Sequence, residues 1–312
     1  MSVSAGAHER PEPRALLWAA LSTVLVFVVP LAAPVLFIPM MTLTPFPLAV
    51  LRLRATLGNA VLAQAMAGAL VGALISPSWG LLLVAVTLPG LLLAETMARG
   101  RGMRRGTARA MLLGAFQMGL AVLFAPGRMA DLALSPWDLL RSPPVLEKLR
   151  AAGFPAEQVQ SWLDQAALFR GVLEVVYPAF FLIMGAAVAL GHALLLRWYL
   201  RRRDPGWLEA GEFENLRLPL ALSVLFVAAG AGVVSPPLRP LSYNVLLGLG
   251  FLYSLQGVAV VCFYTRRLAA PPLLRAAVLV LVLVNPWAFE VLALLGLFDL
   301  WFDFRKWAEV EE

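Results

Sequence analysis

Charge-free runs organise this chain. Arg14 and Arg52 enclose 37 residues without a charge, and Arg54 and Glu95 enclose 40. As one straight helix, 37 residues would reach roughly 55 Å, against about 30 Å of bilayer hydrocarbon. Each run must therefore fold back. The second turns at "SPSWG" (76–80), where Trp79 suits a membrane–water interface. The first turns at "PLAAP" (30–34). Shorter apolar runs follow near 109–126, 172–197, 217–236, 242–265 and 272–298. The pattern predicts an all-α fold, a polytopic integral membrane helix bundle of about eight to nine transmembrane segments.

Composition strengthens that reading. Of 312 residues, 61% are hydrophobic and 14% charged, against about 25% charged in soluble domains. Mean hydropathy is +0.81. So few charges cannot cover a water-exposed surface of this size, which leaves the lipid bilayer as solvent. The formal charge of +6 does not point to nucleic acid, because the bases are sorted by loop and no aromatic platform accompanies them. Cys262 is the single cysteine, which excludes a disulfide framework within one chain.

The arginines also set orientation. "MARGRGMRRGTAR" (97–109) holds five, "RWYLRRR" (197–203) four and "RRLAAPPLLR" (266–275) three, while Arg52 and Arg54 mark a further loop. Alternate loops are poor in bases or balance them with acids, so the positive-inside rule places the arginine loops in the cytoplasm. The expected organisation is a cytoplasmic tail at 1–14, membrane helices at 15–126, an extracytoplasmic amphipathic insert at 127–171, membrane helices at 172–304 and a tail at 305–312. Such a protein belongs in a bacterial cytoplasmic (inner) membrane. Within the insert, Gly153 closes one short helix, and Pro155 with Glu157 opens another. Val159, Trp162, Leu163 and Ala166 form an apolar stripe on the second.

One stretch breaks the regularity, "MTLTPFPLAVLRLR" (41–54). Pro45 and Pro47 each lack an N–H, so carbonyls around 41–43 lose their helical donors at membrane depth. Two readings stand. Thr42 or Thr44 hydroxyls could patch a structural kink, or Thr44, Pro45 and Pro47 could build a substrate site on a discontinuous helix, as transporters do. Arg52 and Arg54 read as cytoplasmic anchors.

Ionisable groups in apolar segments are costly and therefore informative. Glu95 is expected to pair with Arg99 one turn on. Glu174, near Arg170, either faces an outward cavity or makes a surface pair. Glu290 has no base near it in sequence and becomes a candidate for lining a cavity. Asn244, with Tyr243 and Arg239, joins the candidate ligand site, while Gln64, Gln117, Gln256 and Asn59 read as interhelical hydrogen bonders. His192 reads as an interfacial packing residue. Asp299 and Asp303 could pair at a metal, but a terminal anchor with Arg305 or another arginine is the stronger reading.

Small residues at intervals of four, Ala15, Ala19 and Thr23, and Gly68 with Gly72, predict close helix contacts within the bundle or onto a partner. The chain lacks a P-loop, a G-x-S-x-G and an H-E-x-x-H motif, so no enzymatic activity, cofactor or metal is expected of it.

With "TPFPLAVLRLR", "GFPAEQVQSWL…YPAFFLI" and "GLFDLWFDFRKW", the chain resembles the YybS-like family of bacterial polytopic membrane proteins (domain of unknown function 2232). That family is distantly similar to the S-components of energy-coupling-factor transporters, which bind small molecules and rely on partner ATPase subunits. The resemblance implies a small-molecule binding role, for which the breaks, charges and amide above give the expected site: Thr44, Pro45, Pro47, Glu174, Asn244 and Glu290. It also implies a docking face for a transmembrane coupling protein at Ala15, Ala19 and Thr23. The alternative is a membrane scaffold or assembly protein without a small-molecule ligand.

Overall fold

A computed structural model describes residues 13–33, 36–208, 213–268, 271, 273–274 and 287–306. Their regular structure is helical, with no strand among them. The helices are α1 (Pro13–Ala32), α2 (Phe37–Leu43), α3 (Phe46–Arg54), α4 (Leu57–Leu74), α5 (Pro77–Ala98) and α6 (Gly102–Phe124). They continue with α7 (Pro126–Leu139), α8 (Pro143–Ala151), α9 (Ala156–Arg203), α10 (Ala221–Gly232), α11 (Arg239–Arg267) and α12 (Ala288–Phe302).

Six of these, α1, α4, α5, α6, α9 and α11, are long and apolar enough to cross a membrane. The expected eight to nine segments included pieces that are not long unbroken helices. The 35–51 crossing is divided into α2 and α3, and α10 has 12 residues. Much of the 272–298 run, with Asn285 and Pro286, lies outside the described residues, as do the 1–12 tail, Trp307 and part of the "PLAAP" turn.

Local signals explain most boundaries. Thr56 caps α4, its hydroxyl accepting from the Asn59 N–H at 3.3 Å. Pro77, Pro126 and Pro143 each open a helix, where a missing N–H costs nothing. Gly153 takes φ +80°, which ends α8 as expected. The helix expected after Pro155 does begin there, but it does not stop near 171. It runs 48 residues to Arg203, because Gly171 weakens a helix without breaking it. Arg170 and Glu174 also pair at i,i+4 across that point.

The described residues fall into two compact units, one of residues 1–118 with 184–212, the other of residues 119–183 with 213–312. In the first unit, Ala19, Phe27, Leu48, Ala63, Ala67 and Leu83 share one core cluster, and Leu53, Leu93, Met97, Met103, Ala193 and Leu196 another. Small residues set the spacing: a Cβ on Gly80 would strike the backbone of Gly68 and Gly72, and one on Gly114 that of Gly185. Gln64 donates to Thr87 Oγ1 (2.7 Å) and Gln117 to the Ala85 carbonyl (3.0 Å), so both amides tie helices together as predicted. In the second unit α12 lies against α11, with Gly257 and Gly296 each against the other helix's backbone.

Candidate functional site

Pro45 interrupts a helix in the first unit. α2 ends at Leu43, Thr44 and Pro45 make a turn, and α3 starts at Phe46. The interruption is tight. Thr44 keeps φ −52° and ψ −44°, and Pro45 has φ −78° and ψ −9°. Thr44 is fully buried; its N–H and its hydroxyl both donate to the Met40 carbonyl, at 2.9 and 2.7 Å.

In a regular helix the Met41 carbonyl would accept from residue 45, which as proline has nothing to donate. His192 Nε2 lies 3.3 Å from that carbonyl instead. His192 is 4% exposed, and its Nδ1 meets no partner among the described residues. Beside it lies a cavity of about 10 Å³ whose walls include Thr42, Pro45, Gly90, Leu93 and Leu196, the size that holds one water molecule. Two glycines let neighbouring helices come this close. A Cβ on Gly90 would lie 2.5 Å from Pro45 Cβ, and one on Gly191 would lie 2.7 Å from Thr42 Cγ2.

Arg52 is buried rather than a free anchor. Its Nε pairs with Glu95, and its Nη1 donates to the Ala55 carbonyl at 2.8 Å. Glu95 also pairs with Arg99, as expected from spacing. A carboxylate between two guanidiniums, with a helix-end carbonyl also capped, joins α3 to α5 and satisfies both charges. Arg54 is exposed and donates to Tyr199 Oη at 2.7 Å.

The other residues assigned to the candidate site belong to the second unit, so the six do not all fall within one unit. Asn244 inserts into the backbone ladder of α9, accepting from the Ala179 N–H (2.8 Å) and donating to the Val175 carbonyl (2.9 Å). It also donates to the Pro240 carbonyl at 2.8 Å. Pro178 lies at that point of α9, and an inserted amide is one recognised way of accommodating an irregular turn. Glu174 is exposed and 3.5 Å from Arg170, whose shorter bond goes to Asp138 at 2.7 Å. Glu290 is exposed in the first turn of α12, where a negative charge complements the helix dipole. Of the small-residue face, Ala19 and Thr23 are buried within the first unit and Ala15 is exposed.

A second polar centre holds the C-terminal segment. Asp299 pairs with Arg305, both nearly inaccessible, and accepts from Gln256 Nε2 at 2.8 Å. Arg305 donates to the carbonyls of Glu214 (2.7 Å) and Leu216 (3.0 Å), and Gln256 Oε1 accepts from the Leu218 N–H (2.9 Å). The non-helical stretch 216–219 thus finds side-chain partners for backbone groups that no helix satisfies. Asp303 pairs with Arg217 at 2.9 Å and with Lys306 at 3.3 Å. The two carboxylates therefore engage different cations, as the terminal-anchor reading expects. A wider cleft of about 370 Å³ nearby is apolar apart from Tyr264 and Thr265. Tyr264 Oη donates to the Phe304 carbonyl at 2.6 Å.

The sequence read His192 as an interfacial packing residue, whereas it is buried against the Met41 carbonyl. A signal existed, since Pro45 requires a donor near residue 41. What the sequence lacked was the packing of α9 against the interruption.

Membrane-length apolar helices, polar side chains joining them and charge gathered at their ends define a polytopic α-helical membrane protein. The family model described as "Predicted membrane protein (DUF2232)" matches residues 20–300, and the chain belongs to that family. It is similar to "Uncharacterized protein YybS" of Bacillus subtilis (strain 168), 23% identical over 216 residues, which cover 66% of this chain and 68% of that protein. No solved structure matches.

Proposed function

We propose that the protein is a non-enzymatic, S-component-like subunit of a bacterial inner-membrane transport assembly. It binds a small molecule and takes its energy from a transmembrane coupling protein with ATPase subunits. The observation that supports this is the interrupted α2–α3 helix, whose freed Met41 carbonyl meets a buried histidine with one ring nitrogen still unpartnered. Discontinuous helices place such groups at substrate sites in transporters. Thr44, Pro45 and Pro47 belong to this site, with His192. Glu174, Asn244 and Glu290 each have a local structural role that needs no ligand. Ala15 is the exposed member of the docking face on α1.

The test is purification in lipid nanodiscs followed by mass spectrometry of the denatured eluate. The expected result is one small molecule near equimolar with the protein, and ATPase subunits recovered after crosslinking in cells. An eluate without a bound molecule, together with no ATPase, would overturn the reading. A scaffold is the second reading, supported by the way Gln64, Gln117, Asn244 and Gln256 all close on neighbouring backbone or side chains. It predicts a stable protein complex in place of the small molecule.

A further inference from the structure

We infer that the cavity beside His192 is a binding site for a single uncharged hydrogen-bond donor, either a water molecule or the terminal hydroxyl or N–H of a solute. The inference deepens the transport reading by naming what its site accepts, and it rests on that reading only for the solute.

The chemistry follows from the His192 ring. Nε2 lies 3.3 Å from the Met41 carbonyl, and a carbonyl can only accept, so Nε2 carries the hydrogen. In a neutral ring that leaves Nδ1 as a bare lone pair, an acceptor and never a donor. This atom is buried, and no group of the described residues donates to it.

The alternative, an imidazolium, would make Nδ1 a donor as well. It would also place a full charge among Thr42, Pro45, Phe46, Ala49, Gly90, Leu93 and Leu196, none of which carries a balancing charge. The same walls disfavour a charged guest, which would lose its hydration without a counter-ion. A neutral donor satisfies Nδ1 and leaves the apolar walls undisturbed. The volume, about 10 Å³, admits one such group and no more. A solute would therefore place only its donor tip here, beside the Thr44–Pro45 joint.

The chain has two histidines, His8 and His192, so the substitution His8→Gln leaves one. Nitrogen-15 histidine NMR of that variant in nanodiscs reads the ring directly and needs no change at the site. The expected spectrum is the Nε2–H tautomer, with the Nδ1 resonance displaced toward that of a hydrogen-bonded lone pair. A protonated Nδ1 at neutral pH, or the resonance of a bare lone pair, would overturn the inference.

Two further measurements separate the sources. Magnetisation transfer from water to the ring identifies water as the donor, and with no retained organic molecule the donor site stands while the transport reading falls. A retained molecule that drops about tenfold in His192→Phe identifies a solute bound through this nitrogen. Equal retention by both proteins, with no water transfer, leaves the transport reading standing and removes the donor site.

Discussion

The Thr44–Pro45 interruption and the C-terminal clamp solve one problem in opposite ways. Both accommodate backbone groups that a regular helix would have satisfied. At the clamp, Arg305, Asp299 and Gln256 meet two carbonyls and an N–H with an ion pair and several amide and guanidinium bonds, though Asp299 Oδ1 and Arg305 Nε find no partner among the described residues. At the interruption a single neutral bond of 3.3 Å meets the Met41 carbonyl, and the histidine that makes it keeps one nitrogen unpartnered. An ion pair cross-braced by several bonds holds one geometry. A lone neutral bond beside a small cavity can be exchanged for a bond to something else, which is why the first reads as an anchor and the second as a site.

Substitutions that break this contrast fall in a clear order. The largest effect is expected from Arg305→Ala, which leaves Asp299 buried and unpaired and should destabilise by about 3–5 kcal/mol. Equilibrium unfolding in mixed micelles reads this, and a change below ~1 kcal/mol would show that the Asp299–Arg305 pair does not hold the segment as described. Next is Gly296→Ala, whose Cβ would collide with the Tyr253 carbonyl. A backbone obstacle cannot rotate away, so about 1–3 kcal/mol is expected in the same assay. Gly191→Ala meets only the Thr42 methyl and should cost clearly less. If the two alanines cost the same, the difference in packing is wrong.

Thr44→Val removes a buried hydroxyl bond but keeps the shape, and the Met40 carbonyl retains the Thr44 N–H. About 0.5–1.5 kcal/mol is expected, with small-molecule retention falling more than stability does. Retention that merely tracks stability would make Thr44 a packing residue. Smallest is Glu174→Gln, at or below ~0.5 kcal/mol, because its exposed pair with Arg170 is long and solvent-screened. A larger loss, with retention abolished, would return Glu174 to the binding site.

The sequence made the helical, membrane-embedded class legible because charge-free runs and arginine loops are one-dimensional signals. The break at Pro45, the Glu95–Arg99 pair and the nearness of Arg305 to Asp299 were legible for the same reason, since each depends on neighbours along the chain. Partners distant in sequence were not. Arg52 read as an anchor because nothing local reveals that α5 brings Glu95 to it. Asn244 read as a mouth residue because its real task depends on an irregular turn of α9 some 65 positions away. Glu290 read as a charge deep in a span, but it lies in the first turn of α12, where the helix terminus favours it. The long α9 escaped prediction because the amphipathic insert to 171 and the apolar run from 172 read as separate elements, and no residue between them breaks the helix.

The bond between His192 and the interrupted helix carries the central claim, and solid-state NMR can measure it. Protein labelled with carbonyl carbon-13 at its 10 methionines and nitrogen-15 at histidine is reconstituted in lipid, and carbon–nitrogen dipolar recoupling is recorded. The expected result is a strong coupling from the His192 ring to one methionine carbonyl, lost in Met41→Leu and weakened in Pro45→Ala, where residue 45 regains its own N–H. A His192 ring with no methionine carbonyl in range, or a coupling unchanged by Met41→Leu, would contradict the interruption as a place where a side chain takes over a carbonyl that the helix leaves free.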